Sequence, residues 1–282
     1  MTPASRAEIP AASRIVVKVG SSSISGENAD QIGPLVDALA AAHARGAEIV
    51  LVSSGAIATA IPFLSLDGRP TDLATQQAAA AVGQNVLMWR YQTSLDRYGV
   101  LAGQVLLTAG DLENSTPRSN AQRAMDRLLA LRILPIVNEN DTVATHEIRF
   151  GDNDRLAALV AELIGADLLV LLSDVDALYT KPPHLEGARR IEHVPYGDEL
   201  AGVEIGSAGR AGVGTGGAET KVSAARIAAE SGAAVLITAT PLVAEALAGR
   251  EVGTWFDAAP ERVAAQGTDA ERHEAVGDSA LA

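Results

Sequence analysis

Several short segments of the sequence combine lysines, small residues and carboxylates in ways that suit phosphate binding. In the first, Lys18 lies near the end of an apolar run and is followed by Gly20 and three serines. A buried ammonium group is costly unless it is paired, and a glycine lets the backbone approach an anion closely. Lys18 is therefore a candidate phosphate ligand, although an ordinary strand followed by a polar turn has the same composition.

The second segment carries Ser54 and Gly55 between an apolar run and a helical pattern. Free backbone N–H groups at a helix start favour an anion, but a simple helix cap uses the same residues. The G-x-S-x-G spacing of a serine nucleophile is missing. The segment is thus a candidate anion turn and not a catalytic serine site.

A third pair of segments, NEND at 138–141 and DND at 152–154, places amides and carboxylates on both sides of one connection. Such groups suit a substrate that carries an ammonium group, or a carboxylate with lysines nearby. Asp141 and Asn153 are candidate substrate ligands. Asp154 is the candidate for a carboxylate that holds two lysines together, although an acid in a first helical turn also suits the helix dipole by itself.

Two more segments follow apolar runs in the second half of the chain. Ser173 and Asp174 come after the run at 168–172, where they contact a nucleotide or only cap the next turn. The loop GVGTGGAETK at 212–221 contains G-x-G-x-x-G, but no buried strand precedes it and no acid closes the following strand, which argues against a dinucleotide fold. A glycine loop that ends in Lys221 remains a good cradle for a polyphosphate.

This inventory of two lysines, glycine turns and carboxylates indicates phosphoryl transfer, which depends on charge neutralisation and positioning. No side chain stands out as a general base, and a carboxylate acceptor, ionised at neutral pH, needs none. The chain has no cysteine, which excludes thiolate chemistry, and its five histidines have no ligand spacing, so we predict no metal held by protein residues alone. The net charge of −13 argues against a nucleic-acid partner.

The elements that must position these groups alternate between short apolar runs and longer alanine-rich stretches. Continuous apolar runs are typical of parallel strands buried on both faces, so the sequence predicts a three-layer α/β/α sandwich with a mainly parallel central sheet. Ligands of such sheets bind beyond the carboxyl ends of the strands. The predicted strands are 14–19, 48–52, 100–107, 133–137, 168–172 and 234–238, and the predicted helices are 30–44, 73–98, 120–131, 155–164, 221–231 and 243–248.

We expect three parts of the chain: an N-terminal extension at 1–13, one domain at 14–256, and an acidic flexible tail at 257–282. The segment 179–217 is predicted to hold a short hairpin and mobile loops. No apolar run reaches the length of a membrane span, and the first residues lack the apolar core of a signal peptide. We therefore expect a cytoplasmic protein without a membrane partner.

The segments VVKVGSSS, VSSGAIA, VNENDTVAT, FGDNDRLAALVA, LLSDVDALY and GTGGAETK, in this order, resemble the amino acid kinase family over residues 14–256. NENDTVAT and GDNDRLAAL are similar to motifs of the family branch that phosphorylates the side-chain carboxylate of L-glutamate. The resemblance implies the amino acid kinase fold, ATP and Mg²⁺, the first step of proline biosynthesis, a homo-oligomer, and feedback inhibition by proline at the glutamate site. Many members of that branch carry a C-terminal PUA domain, which we do not expect after Phe256.

The resemblance also implies roles for individual residues. Lys18, Asp154 and Lys221 match the catalytic set, in which Lys18 contacts the phosphates and Asp154 organises the lysines. The glutamate ligands match Ser54, Gly55, Asp141 and Asn153. The nucleotide ligands match Lys18, Ser173, Asp174, Gly214, Thr215, Gly216, Gly217, Ala218, Glu219, Thr220 and Lys221.

Three other functions compete with this one. A sibling kinase for another carboxylate or a nucleotide acceptor keeps the lysines and the glycine loop, but is not expected to keep NENDTVAT. A dehydrogenase is disfavoured by the misplaced glycine pattern. A non-catalytic nucleotide sensor predicts ATP binding without turnover, and the loss of Lys18, Asp154 or Lys221, all of which are present.

Overall fold

The structure is a computed structural model that describes residues 1–143, 153–201, 203 and 217–260. Three of the predicted nucleotide ligands, Gly214, Thr215 and Gly216, lie outside the described residues. So does the predicted acidic tail from residue 261 onward.

An eight-stranded sheet forms the centre of the molecule. The strands are β1 Arg14–Val19, β2 Glu48–Ser53, β3 Ala102–Leu107, β4 Leu134–Glu139, β5 Leu168–Ser173, β6 Leu178–Tyr179, β7 Arg190–Ile191, β8 His193–Val194, β9 Ala234–Ala239 and β10 Thr254–Phe256. Their order in the sheet is β3-β4-β2-β1-β5-β9-β10-β8, and the pairs are parallel except for β10, which runs antiparallel to β9. The predicted short hairpin is confirmed as β6 and β7, which pair separately.

Helices cover both faces of the sheet, and two apolar clusters fill the space between the layers. The α-helices are α1 Ile32–Ala44, α2 Ala56–Ala60, α3 Leu73–Leu95, α4 Ala109–Glu113, α5 Ser115–Ala130, α6 Asn153–Ile164, α7 Ala218–Glu230 and α8 Val243–Leu247. One cluster joins α1, α3 and α8 to the sheet, and the other joins α5, α6 and α7 to its opposite face. The predicted α/β/α sandwich is confirmed.

The differences from the predicted elements lie at the ends of the longer elements and in short elements that were not predicted. Helix α5 begins five residues earlier than predicted, because its polar first turn shows no apolar period and Pro117 is tolerated where the helix N–H groups are still free. Strand β3 is an edge strand that is only partly buried, and it begins at Ala102 rather than at residue 100. Strands β8 and β10 were not predicted, since two and three residues are too few to show a period.

The residues before β1 pack against the rest of the domain. Ile9 is fully buried in the core cluster of α1 and α8. The Arg6 guanidinium donates hydrogen bonds of 2.9 Å to the carbonyl oxygens of Val252 and Gly253. Among the described residues, no helix is long and apolar enough to cross a membrane.

Candidate active site

A buried cluster of one carboxylate and two lysines lies beyond the carboxyl end of β1. Lys18 comes from β1, Asp154 from the first turn of α6 and Lys221 from the first turn of α7. Asp154 Oδ1 is 2.6 Å from Lys18 Nζ, and Asp154 Oδ2 is 2.9 Å from Lys221 Nζ. The structure therefore brings together the three residues that the sequence singled out as a set.

The electrostatics of this cluster follow from its burial. Asp154 is completely buried, and Lys18 and Lys221 are only 4% and 7% exposed. Burial alone would raise the pKa of Asp154, but the ammonium groups of Lys18 and Lys221 outweigh it and hold the pKa below the ordinary carboxyl value. The carboxylate is thus ionised at neutral pH and keeps two positive charges close together.

Thr220 gives this carboxylate a further hydrogen bond. Its hydroxyl lies 3.1 Å from Asp154 Oδ2 and 2.9 Å from the carbonyl oxygen of Gly217. Among the described residues, three groups from two elements, β1 and α7, therefore contact the Asp154 carboxylate. This contact was not predicted, since the sequence analysis assigned Thr220 only to the nucleotide.

A second cluster, built from amides and hydroxyls, lies on the other side of the same helix start. The Asn153 amide nitrogen lies within hydrogen-bond distance of three acceptors: Ser54 Oγ at 2.9 Å, the Ser53 carbonyl oxygen at 3.0 Å and Asn138 Oδ1 at 2.8 Å. The predicted convergence of the segments around 138 and 153 is confirmed by the last contact. Because Asn153 and Asp154 are adjacent, one turn of α6 serves both clusters.

The two anion turns of the sequence also meet. Gly55 has a φ of 99°, in the left-handed region that glycine adopts most easily. A side chain at this position would lie 3.5 Å from Ser21 Cα, so the turn after β2 packs directly against the turn after β1. The turn after Lys18 and the Ser54–Gly55 turn are therefore direct neighbours at the carboxyl edge of the sheet.

A cavity of about 190 Å³ opens beside the amide cluster. Asp141 lines it together with Asn138 and Glu139 at the end of β4, and Gln84 of α3 lines it from another side. Ser54 and Asn153 are not among its lining residues. The cavity is therefore next to the Ser54–Asn153 contact and is bordered by one of the predicted glutamate ligands.

The described part of the predicted nucleotide site lies at the ends of β5 and β9 and at the start of α7. Ser173 ends β5 and pairs with Ala239 of β9, and its carbonyl oxygen accepts a hydrogen bond of 3.3 Å from Thr240. Asp174 and Glu219 are exposed, while Gly217 and Ala218 are partly buried at the helix start.

Sequence reasoning missed the contribution of α3 to the site. Gln84 accepts a hydrogen bond of 2.8 Å from Asn138, and the Tyr91 hydroxyl lies 2.9 Å from Ser53 Oγ. Both residues lie in an alanine-rich helical stretch whose pattern gives no signal that its polar side chains face a site.

Comparison with known proteins identifies the family. Residues 13–239 match the sequence profile of the amino acid kinase family. The glutamate 5-kinase of Clavibacter sepedonicus is 77% identical over 91% of this chain and 98% of its own length. The glutamate 5-kinase of Leifsonia xyli is 76% identical over 93% and 97%, and that of Streptomyces coelicolor is 57% identical over 92% and 70%.

Among solved structures, the carbamate kinase of Giardia resembles this chain in fold. It superposes with a TM-score of 0.63 at 16% identity, over 88% of this chain and the whole of that protein. This likeness concerns the fold alone.

Proposed function

The chain belongs to the amino acid kinase family, where it groups with the glutamate 5-kinases, and we propose that its Lys18–Asp154–Lys221 cluster carries the reaction of that group. The reaction moves the γ-phosphoryl group of ATP to the side-chain carboxylate of L-glutamate. Its products are L-glutamyl 5-phosphate and ADP, and it is the first step of proline biosynthesis.

The lysine cluster supports this proposal through charge. In the transfer, a glutamate carboxylate oxygen forms a bond to the γ-phosphorus while the bond from that phosphorus to the β,γ-bridging oxygen breaks. Negative charge then spreads over the transferred group and the leaving ADP. Lys18 and Lys221, held at 2.6 and 2.9 Å from Asp154, supply fixed positive charges without reorganising during the reaction.

The acceptor side needs binding and orientation rather than proton removal. Glutamate is ionised at neutral pH, since the ordinary pKa of its side chain is about 4.3. We propose that Ser54, Gly55 and Asn153 orient the acceptor near the lysines, and that Asp141, which lines the cavity, contacts its α-ammonium group. The adjacency of Asn153 and Asp154 would then bring acceptor and phosphoryl group together.

The donor side is assigned to the carboxyl edge around β5 and α7. We propose that Ser173 and Asp174 contact the nucleotide and that the residues from Gly217 through Ala218, Glu219 and Thr220 to Lys221 contact its phosphates. The helix start at Gly217 supports this role, because its backbone N–H groups favour an anion. We also keep the sequence-based prediction that the nucleotide is bound by Gly214, Thr215 and Gly216.

We propose that Mg²⁺ binds at this site together with ATP. Within the described ranges, no three His, Asp or Glu side chains form a group that could hold a metal ion. Mg²⁺ commonly binds through substrate phosphates with few protein ligands, so we propose that it arrives with the nucleotide. When bound, it would neutralise part of the phosphate charge.

The observation that carries the proposal is the buried contact of one carboxylate with two lysines from different elements. The test is ADP release from Mg-ATP with L-glutamate, beside parallel reactions with aspartate, N-acetylglutamate and uridine monophosphate. Hydroxylamine traps an acyl phosphate as a hydroxamate. Glutamate-dependent ADP with a hydroxamate is the expected result, and the Lys221→Ala variant controls for contaminating kinases.

Other results would redirect the assignment. ADP formed only with another acceptor would make the protein a sibling kinase, and ATP binding without turnover would favour a nucleotide sensor.

The proposal has four further parts. They are homo-oligomer formation, proline inhibition at the glutamate site, a cytoplasmic location and the division of the chain at residues 13 and 256. Light scattering and inhibition kinetics with proline test the first two.

A further inference from the structure

Helix α3 lies behind the acceptor side of the site and contacts it at three successive points. Gly83 packs so closely on α2 that an added Cβ would lie 1.7 Å from the Ala56 carbonyl oxygen. Gln84 bonds to Asn138 at the end of β4, and Tyr91 contacts the end of β2 through Ser53. None of these α3 residues belongs to the motifs that the sequence analysis assigned to substrate.

We propose that Gln84 is a positioning residue for the acceptor site, acting through Asn138. The backbone N–H of Glu139 donates to Asn138 Oδ1 at 2.9 Å, and this fixes which end of the Asn138 amide faces Asn153. The Asn138 NH₂ group then points to Gln84 Oε1, 2.8 Å away. A chain of hydrogen bonds therefore runs from Gln84 through Asn138 and Asn153 to Ser54.

The burial of Gln84 supports a positioning role. The side chain is 6% exposed, and its Nε2 has no hydrogen-bond partner among the residues that the structure describes. An unpartnered buried amide N–H group lowers stability, so a methionine of the same length would suit the fold at least as well. The oxygen of Gln84 is what a methionine lacks, and that oxygen holds Asn138.

Removing this oxygen gives a specific prediction, which rests on the proposed function. In Gln84→Met, the Asn138 amide loses its acceptor and can rotate, which weakens its hold on Asn153. We expect the KM for glutamate to rise about tenfold, the effect of losing one net hydrogen bond, while the KM for ATP stays within about twofold. The melting temperature should stay close to that of the wild type, because one unpartnered buried NH₂ group replaces another.

Gln92 provides a matched control on the same helix. Its amide accepts a hydrogen bond of 2.8 Å from the Ala102 backbone and donates one of 3.1 Å to the Val100 carbonyl oxygen. These contacts lie at the start of β3, away from the carboxyl edge of the sheet. Gln92→Met should lower the melting temperature and leave the KM for glutamate unchanged.

A double-mutant cycle shows whether Gln84 acts through Asn138. In an Asn138→Ala background, Gln84→Met should raise the KM for glutamate no further. The proposal is overturned if Gln84→Met leaves this KM unchanged, raises both KM values equally, prevents folding, or keeps its full effect in the Asn138→Ala background. A wild-type protein inactive on glutamate would count against the proposed function instead, so the two failures are distinguishable.

Discussion

Replacing Asp154 by asparagine tests the central claim, that this carboxylate holds two lysines in a phosphoryl-transfer site. Asparagine has nearly the same shape, so the change removes charge without opening a cavity. Two ammonium groups would then face each other in a site where Lys18 and Lys221 are less than one-tenth exposed. The loss of Asp154 therefore leaves uncompensated buried charge rather than merely one missing contact.

The magnitude follows from the loss of a buried ion pair, which commonly costs about 3–5 kcal/mol. This cost is a large part of the stability of about 5–15 kcal/mol that a domain has. We therefore expect the free energy of unfolding in urea to fall by about 3–5 kcal/mol in Asp154→Asn.

We expect kcat to fall by a larger factor than the affinity for either substrate. In the proposed reaction, a displaced lysine would no longer stabilise charge on the transferred phosphoryl group, and removing one such group commonly lowers kcat by about 10²–10³-fold. The assay is coupled ADP release at saturating ATP and glutamate, at a temperature where urea unfolding shows that the variant is folded.

Asp167 offers a control of the same residue type at the other end of the sheet. It is 5% exposed, and its carboxylate accepts hydrogen bonds from the backbone N–H groups of Ser13 and Arg14 at 2.8 and 3.0 Å. Asp167→Asn should lower stability and leave kcat near the wild-type value. The reasoning is refuted if Asp154→Asn keeps the kcat of the wild type, or loses no more activity than Asp167→Asn.

Three further predictions concern other parts of the site. Asp141→Ala should raise the KM for glutamate more than the KM for ATP, and equal changes in steady-state kinetics would contradict its substrate role. Gly83→Ala should lower the unfolding free energy in urea by about 1–3 kcal/mol, because the new Cβ would lie 1.7 Å from the Ala56 carbonyl oxygen; an unchanged value would show that α2 and α3 separate freely. The pKa of Asp154 is lower in the folded protein than its ordinary value of 3.8, so its contribution to stability is complete above that pH and is lost as the pH falls through the lower, folded-state pKa. Urea unfolding between pH 7 and pH 3 should therefore show that the difference in unfolding free energy between the wild type and Asp154→Asn becomes smaller in acid. A difference that grows in acid would contradict a lowered pKa of Asp154 in the folded protein.

The fold and the lysine cluster were predictable because both depend on signals that are local in the sequence. Apolar runs indicate parallel strands, and a parallel sheet brings its strand ends to one edge. Lys18 follows from this rule directly, since an ammonium group at the end of a buried strand requires a partner. Asp154 and Lys221 each lie in the first turn of a helix that begins at that edge, so their meeting with Lys18 was the expected outcome.

The role of α3 could not be predicted in the same way. A helix face has no fixed relation to the strand ends, and Gln84 differs from its alanine neighbours only by being polar. Its contact with Asn138 depends on how α3 is rotated and how closely it approaches α2, which the packing of Gly83 against Ala56 determines. These are distances between elements far apart in the chain, and no local pattern encodes them.

Asn153 and Asp154 are adjacent in the sequence but contact different groups, and the sequence alone does not predict which groups. Successive residues of a helix point about 100° apart, so the sequence predicts that these two side chains face different neighbours but not which neighbours. In the structure, Asn153 faces Ser54 and Asp154 faces the lysines. A rotation of α6 by about 100° that turned the Asp154 carboxylate toward Ser54 would take it away from the lysines and would place it where it repels the anionic substrate proposed for this site. The packing of the buried face of α6 against the sheet therefore sets the chemistry of the site as firmly as the identity of its residues does.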